Sequence, residues 1–148
     1  MIKGGWPALM NVSLEDAILL NRGYIDLLAD IDMSRVSNVK RDPQKVRTLL
    51  RSIARNVATL VDNTTLEKDI KSIEDTEISR PTIIEYLDAL SKLMIFEEQP
   101  AFNTHIRSAN SLRKSPKRHF CDVSLAVAAL KLTKESLMND LKFCGFLF

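Results

Sequence analysis

The sequence predicts a mainly α fold: an N-terminal helical lobe followed by a winged helix-turn-helix with a small two-stranded antiparallel ribbon. Three observations predict it. Apolar residues recur at spacings of three and four through most of the chain, the period of helices with one buried face. Helix-start signals precede these runs: Asp42-Pro43, Thr64-Thr65 and Ser79-Arg80-Pro81. Behind the last of them stand two short β-prone stretches, Ile95 to Gln99 and Lys117 to Asp122, separated by a long polar segment. The lobe takes residues 1–63 and the winged-helix segment residues 64–148.

Residues 1–12 carry no period. Gly4-Gly5-Trp6-Pro7 is turn chemistry, and the Trp6 ring calls for a surface to lie against. Ser13 with Asp16 three positions on is a capping signal. Leu14, Ala17, Ile18, Tyr24, Ile25, Leu27 and Leu28 then predict one long helix, or two short ones broken near Gly23. Residues 33–41 read as a polar loop. Asp42-Pro43 is a strong start, because Asp accepts from orphan amides and Pro suits the first helical position. Val46, Leu49, Leu50, Ile53, Val57 and Leu60 follow on one stripe. Arg47, Arg51 and Arg55, four apart, form a basic row beside it. The row reads first as a solvated face, and second as guanidinium groups offered to Asp26, Asp30 or Asp32.

Thr64-Thr65-Leu66-Glu67 reads as a capping box for a short helix through Leu66, Ile70 and Ile73. Ser79 caps the next helix, with a buried face of Ile83, Ile84, Leu87, Leu90 and Met94. The strand after Met94 ends at Pro100, and Lys117 to Asp122 is its partner. Helix returns at Ser124 to Leu130 and at Lys134 to Lys142. The final run, Phe143 to Phe148, is wholly apolar and tucks back on the domain or meets a neighbour.

The chain has 148 residues, 45% of them apolar, and a formal charge of +2. That mean hides an asymmetry: residues 64–98 hold 4 basic and 9 acidic side chains, residues 99–148 hold 8 and 3. Two cysteines are too few for a disulfide framework. With no long apolar run and no signal-peptide pattern, the expected location is the cytoplasm.

A DNA-reading winged helix needs cationic or amide donors on its second helix. Here Arg80 and Lys92 are balanced by Glu85 and Asp88, in a segment whose acidity repels phosphates. The loop 105–119 is the better nucleic-acid candidate, with Arg107, Arg113, Lys114, Lys117 and Arg118 beside His105 and His119. It lacks interleaved aromatics, since only Phe102 and Phe120 flank it. His105, His119, Cys121 and Cys144 match no zinc spacing, and Cys121 reads as a small buried residue. Glu97 and Glu98 are strand neighbours pointing to opposite faces, which separates them as a dyad. No catalytic, cofactor or metal residue is assigned.

Five stretches resemble one family: Gly4-Gly5-Trp6-Pro7, the Asp30 region, Leu49-Leu50-Arg51-Ser52-Ile53-Ala54-Arg55-Asn56, Tyr86-Leu87-Asp88-Ala89-Leu90 and Ser115-Pro116-Lys117-Arg118-His119-Phe120. It is the prokaryotic family of AAA-like ATP-binding proteins with a C-terminal domain of unknown function. The resemblance implies an ATPase core, a winged-helix middle and a restriction-nuclease-like part, of which this chain is similar to the middle alone. Neither a phosphate-loop motif nor a nuclease constellation stands in the sequence, so ATP binding is not carried over to any residue. The resulting expectation is a non-catalytic connector between an ATPase core and a distal domain or partner protein, or a self-associating one, with Trp6, Phe146 and Phe148 as interdomain contacts. The alternative is a nucleic-acid-binding module using Arg80 and the basic loop.

Overall fold

The computed structural model describes residues 2–36, 38–73, 76–100 and 115–147. It is mainly helical, with a small two-stranded antiparallel sheet. Buried residues from Ile25 to Leu147 form one apolar cluster, drawn from both sides of position 63.

Helix α1 (Leu14–Leu27) begins at Ser13, whose side chain accepts from the Asp16 amide at 3.1 Å. It runs through Gly23 without a break and continues as a π-helical segment, Leu28–Asp32, into a short α2 (Met33–Arg35). The polar stretch 33–41 is therefore not a loop throughout. Met33 is fully buried, and so is nearly all of Arg41. The Arg41 guanidinium donates to the Met33 carbonyl, pairs with Glu85 at 3.1 Å and lies 6.0 Å from the Tyr86 ring centre. Local polarity hid this burial, because Glu85 and Tyr86 come from a distant helix.

Asp42 caps α3 (Pro43–Arg55) by accepting from the Gln44 amide at 2.9 Å. Val46, Leu49, Leu50 and Ile53 are sealed in the core. On the flank, Arg47 donates to Asp26 at 2.8 Å and to Asp30 at 2.7 Å, so the bracing reading of the row holds there. Arg55 pairs with Asp69 at 2.7 Å. Each buried Leu or Ile contributes roughly 1.5–3 kcal/mol, against about 0–1 kcal/mol for a partly exposed ion pair. Packing seats α3, and the arginines trim its orientation.

Helix α4 (Asn63–Ile73) is capped by Asp62, which accepts from the Thr65 amide at 2.7 Å, rather than by a Thr64 box. Helix α5 (Arg80–Lys92) follows Ser79, whose hydroxyl bonds the Thr82 hydroxyl at 2.9 Å instead of a backbone amide. Strands β1 (Phe96–Gln99) and β2 (Lys117–Phe120) pair antiparallel, Phe96 opposite Phe120 and Gln99 opposite Lys117. The two phenylalanines anchor the ribbon in the core. On the far side of β2, the Ala58 amide donates to the Arg118 carbonyl at 2.9 Å and Leu60 bridges Lys117.

Helix α6 (Val123–Ala129) is buried along its length and packs on α1 and α3. Its cap, Asp122, accepts from the Ser124 amide at 2.8 Å and from the Gly5 amide at 2.7 Å. That clamps the N-terminal arm. Gly4 has φ +76°, and a Cβ there would sit 2.5 Å from Ser124 Oγ and 2.6 Å from Asp122 Oδ1, so only glycine fits. The expected helix 134–142 is two, α7 (Lys134–Asn139) and α8 (Leu141–Phe146). Asp140 separates them and caps α8 through the Phe143 amide at 2.9 Å. Leu147 tucks into the core.

Candidate functional site

Helix α5 presents its buried side through Ile83, Tyr86, Leu87, Ala89 and Leu90. The Tyr86 hydroxyl accepts from the Asp42 amide at 3.1 Å, which ties α5 to the start of α3. Ile84 and Met94 do not join that face. Ile84 lies one position off the stripe, about 100° round the helix, and is 51% exposed. Met94 has left the helix: its amide bonds Ser91 at 2.9 Å and the Ile95 amide bonds Leu90 at 3.1 Å. This is a Schellman turn, and it puts Met94 in the left-handed region at φ +54°, a place glycine usually takes. The Met94 side chain is left 77% exposed.

Arg118 faces the opposite way from its sequence reading. The sequence groups it with the nucleic-acid contacts, yet it is 6% exposed. Nε donates to Glu98 at 2.8 Å, Nη1 to the Val61 carbonyl at 2.8 Å and Nη2 to Asn63 Oδ1 at 2.9 Å. Each nitrogen has a partner inside the fold, so this residue bolts the ribbon to the start of α4.

Between α5 and the ribbon lies a cleft of about 660 Å³, lined by Ile84, Leu87, Asp88, Met94, Glu97 and Glu98 among others. Among the described residues that line it, the charged groups are all carboxylates. Asp88 pairs with Lys92 at 2.6 Å and Glu98 with Arg118. Asn63 and Ser91 add polar groups, so the described lining is polar and acidic where a groove reader would be basic. Two adjacent apolar residues, Ile83 and Ile84, were the available signal, since one helix stripe cannot bury both equally.

The other expected contacts scatter. Arg80 stands exposed in the first turn of α5, with a Glu67 carboxylate oxygen at 3.7 Å. Lys117 is exposed at the start of β2. Arg107, Arg113, Lys114 and Phe148 lie outside the described residues, as does most of the loop 105–119. Trp6 is 37% exposed and leans on Tyr24, ring centres 5.6 Å apart. Burial, then the Asp32 carboxylate, holds the Tyr24 hydroxyl above its ordinary pKa. Phe146 is 40% exposed. Cys121 is exposed rather than a buried packing residue. Partial desolvation and the Glu97 carboxylate push its thiol up, away from a reactive thiolate. Among the described residues, no three His, Cys, Asp or Glu side chains are grouped to hold a metal ion.

Fold and cleft together define a mainly helical protein with a small antiparallel ribbon, and no described helix is long and apolar enough to cross a membrane. Over residues 1–136 the chain matches the family described as Domain of unknown function (DUF8612), and it belongs to that family. No curated protein and no solved structure matches it.

Proposed function

We propose that α3, α4, α5 and the ribbon act as a winged-helix unit with a non-catalytic role, an interaction or connector module that meets other proteins. The observation that carries this reading is the acidic cleft beside α5. A duplex reader needs phosphate-binding cations and base-edge donors at that place, whereas this cleft offers Ile84, Met94 and carboxylates. The element order supports the winged-helix reading, with the bridge at Leu60 standing where a short third strand would lie between the first two helices. Arg118, held internally, strengthens the case against groove readout. The similarity in sequence to the middle of AAA-like ATP-binding proteins favours coupling between an ATPase core and a distal part. Trp6 and Phe146 then supply exposed apolar contacts. No residue is assigned a catalytic, cofactor or metal role.

The basic balance of residues 99–148 favours a second reading, nucleic-acid binding through Arg80 and Lys117 with Arg107, Arg113 and Lys114. Fluorescence anisotropy of a labelled DNA duplex separates the two. The module reading expects no saturable binding at micromolar protein in about 50 mM salt. Submicromolar affinity falling steeply on a log–log salt plot overturns it in favour of the second.

A further inference from the structure

We infer that the outward face of α1 around Gly23 receives an amphipathic helix of a partner protein, one with large apolar residues on its inner side and lysine or arginine along its flanks. The inference rests on the interaction-module reading, adds a second face to it and names the partner's chemistry.

Residues three and four apart are neighbours on a helix surface. Leu19 and Leu20 therefore lie one turn before Gly23 and Leu27 one turn after it, and all three are exposed. The buried side of α1, Ala17, Asn21 and Ile25, uses none of them. Glycine weakens a helix interior, and nothing inside the fold calls for it here: a Cβ at position 23 would meet nothing within 4 Å. A glycine the fold does not need stands among three leucines the fold leaves out. Such a dent, ringed by apolar side chains, seats a large residue of a second helix as a hole seats a knob. Beside it, the N-terminal arm and α1 enclose a hollow of about 240 Å³ lined by Trp6, Ala8, Leu9, Leu20, Asn21 and Tyr24. The Asn21 amide is turned to the Ile2 and Lys3 carbonyls, at 3.4 and 3.5 Å, which leaves the other walls apolar. A second apolar residue of the same incoming helix has its seat there.

Charge selects the occupant. Helix α1 and its continuation, residues 14–32, carry Glu15, Asp16, Asp26, Asp30 and Asp32 against Arg22 alone. Arg22 turns away from the face, donating to the Lys131 and Leu132 carbonyls at 2.9 and 3.3 Å. Asp26 and Asp30 are held by Arg47. Glu15 and Asp16, one turn before the leucines, form no ion pair among the described residues. A lysine or arginine on the partner's flank complements them. A second copy of this chain does not. Two α1 helices crossed antiparallel at Gly23 put Asp16 of each beside Asp30 of the other, and crossed parallel they put Asp16 beside Asp16. Like charges so placed oppose association. An anionic lipid surface is repelled on the same ground.

The probe is a fluorescein-labelled helical peptide with leucines along one face and lysines on its flanks, titrated against the full chain in about 0.15 M salt. Comparison peptides exchange the lysines for glutamates, or the leucines for serines. The lysine–leucine peptide is expected to bind about tenfold more tightly than either, since it alone offers both the knobs and the cations. Gly23→Leu fills the dent and should weaken that binding about tenfold. The same variant should unfold at no lower temperature, because leucine suits a helix better than glycine, so lost binding is not lost folding. Leu27→Ser should weaken binding as well, whereas Leu141→Ser, at an exposed leucine of α8, should leave it unchanged. Equal binding of the three peptides, undiminished binding by the Gly23→Leu chain, or a dimer of this chain that Leu27→Ser dissolves overturns the inference. Any of these alongside absent duplex binding removes the α1 partner alone, whereas tight duplex binding removes the module reading beneath it.

Discussion

Arg118 shows how one side chain decides what a surface is for. Its guanidinium holds Glu98, the Val61 carbonyl and Asn63 at once, three contacts that join a strand, a connection and a helix start. Arg118→Met keeps the stem and removes the fork, leaving the Val61 carbonyl without its donor. We expect a loss of roughly 1–3 kcal/mol, since the buried Val61 carbonyl is stranded while the half-exposed Glu98 rehydrates. Urea unfolding should record it as a lower midpoint at unchanged slope. A loss below about 1 kcal/mol would mean that water replaces the guanidinium and that the bolt is dispensable. The burial was within reach of the sequence. Phe120 reads as a core residue, and on a strand the residue two positions away shares its face. Arg118 therefore belonged inside with Phe120 and Lys117 outside, whereas pooling all basic residues of the loop concealed the difference.

Helices in this chain announce their starts better than their ends. Ser13, Asp42 and Ser79 mark beginnings because a short polar side chain before an apolar stripe has few other uses. Ends are hidden because the left-handed position that usually holds glycine is filled by Met94 after α5 and by Lys131 after α6. The break at Asp140 was concealed likewise, with no Gly or Pro to mark it. Conversely, Gly23 looks like a stop and is none: α1 passes through it, and a Cβ at that position would meet nothing within 4 Å. Tertiary packing of Ala17, Asn21 and Ile25 on one side holds the helix across the weak residue. Gly23→Ala should then stabilise the chain by about 0.5–1 kcal/mol, by reducing the freedom of the unfolded state. Thermal unfolding checks it: the midpoint should rise by a few degrees. An unchanged or lower midpoint would show that α1 needs a flexible residue there.

On the scale of the whole chain, one carboxylate closes the fold from end to end. Asp122 both starts α6 and holds the arm that carries Gly4 and Trp6, across 117 positions of sequence. Burial by itself would raise its pKa; the hydrogen bonds from Ser124 and from the Gly5 amide outweigh that and keep it below the ordinary carboxylate range. A group whose folded pKa is depressed stabilises fully above its unfolded value, near 3.9, and loses that contribution as pH falls through the folded one. The arm clamp is therefore firm at neutral pH and loosens in acid. Since Asp122 is partly exposed, the contribution is about 1 kcal/mol or less. The chain has a single tryptophan, at the clamped end, so its emission reports on the arm directly. We expect Asp122→Asn to be less stable than the natural chain at pH 7 and the gap to narrow steadily below about pH 4. Trp6 emission in the natural chain should shift towards that of the variant over the same interval. A gap that stays constant from pH 7 to pH 3, or a variant whose Trp6 emission matches the natural chain throughout, would place the arm's hold in the Trp6–Tyr24 ring contact rather than in the carboxylate.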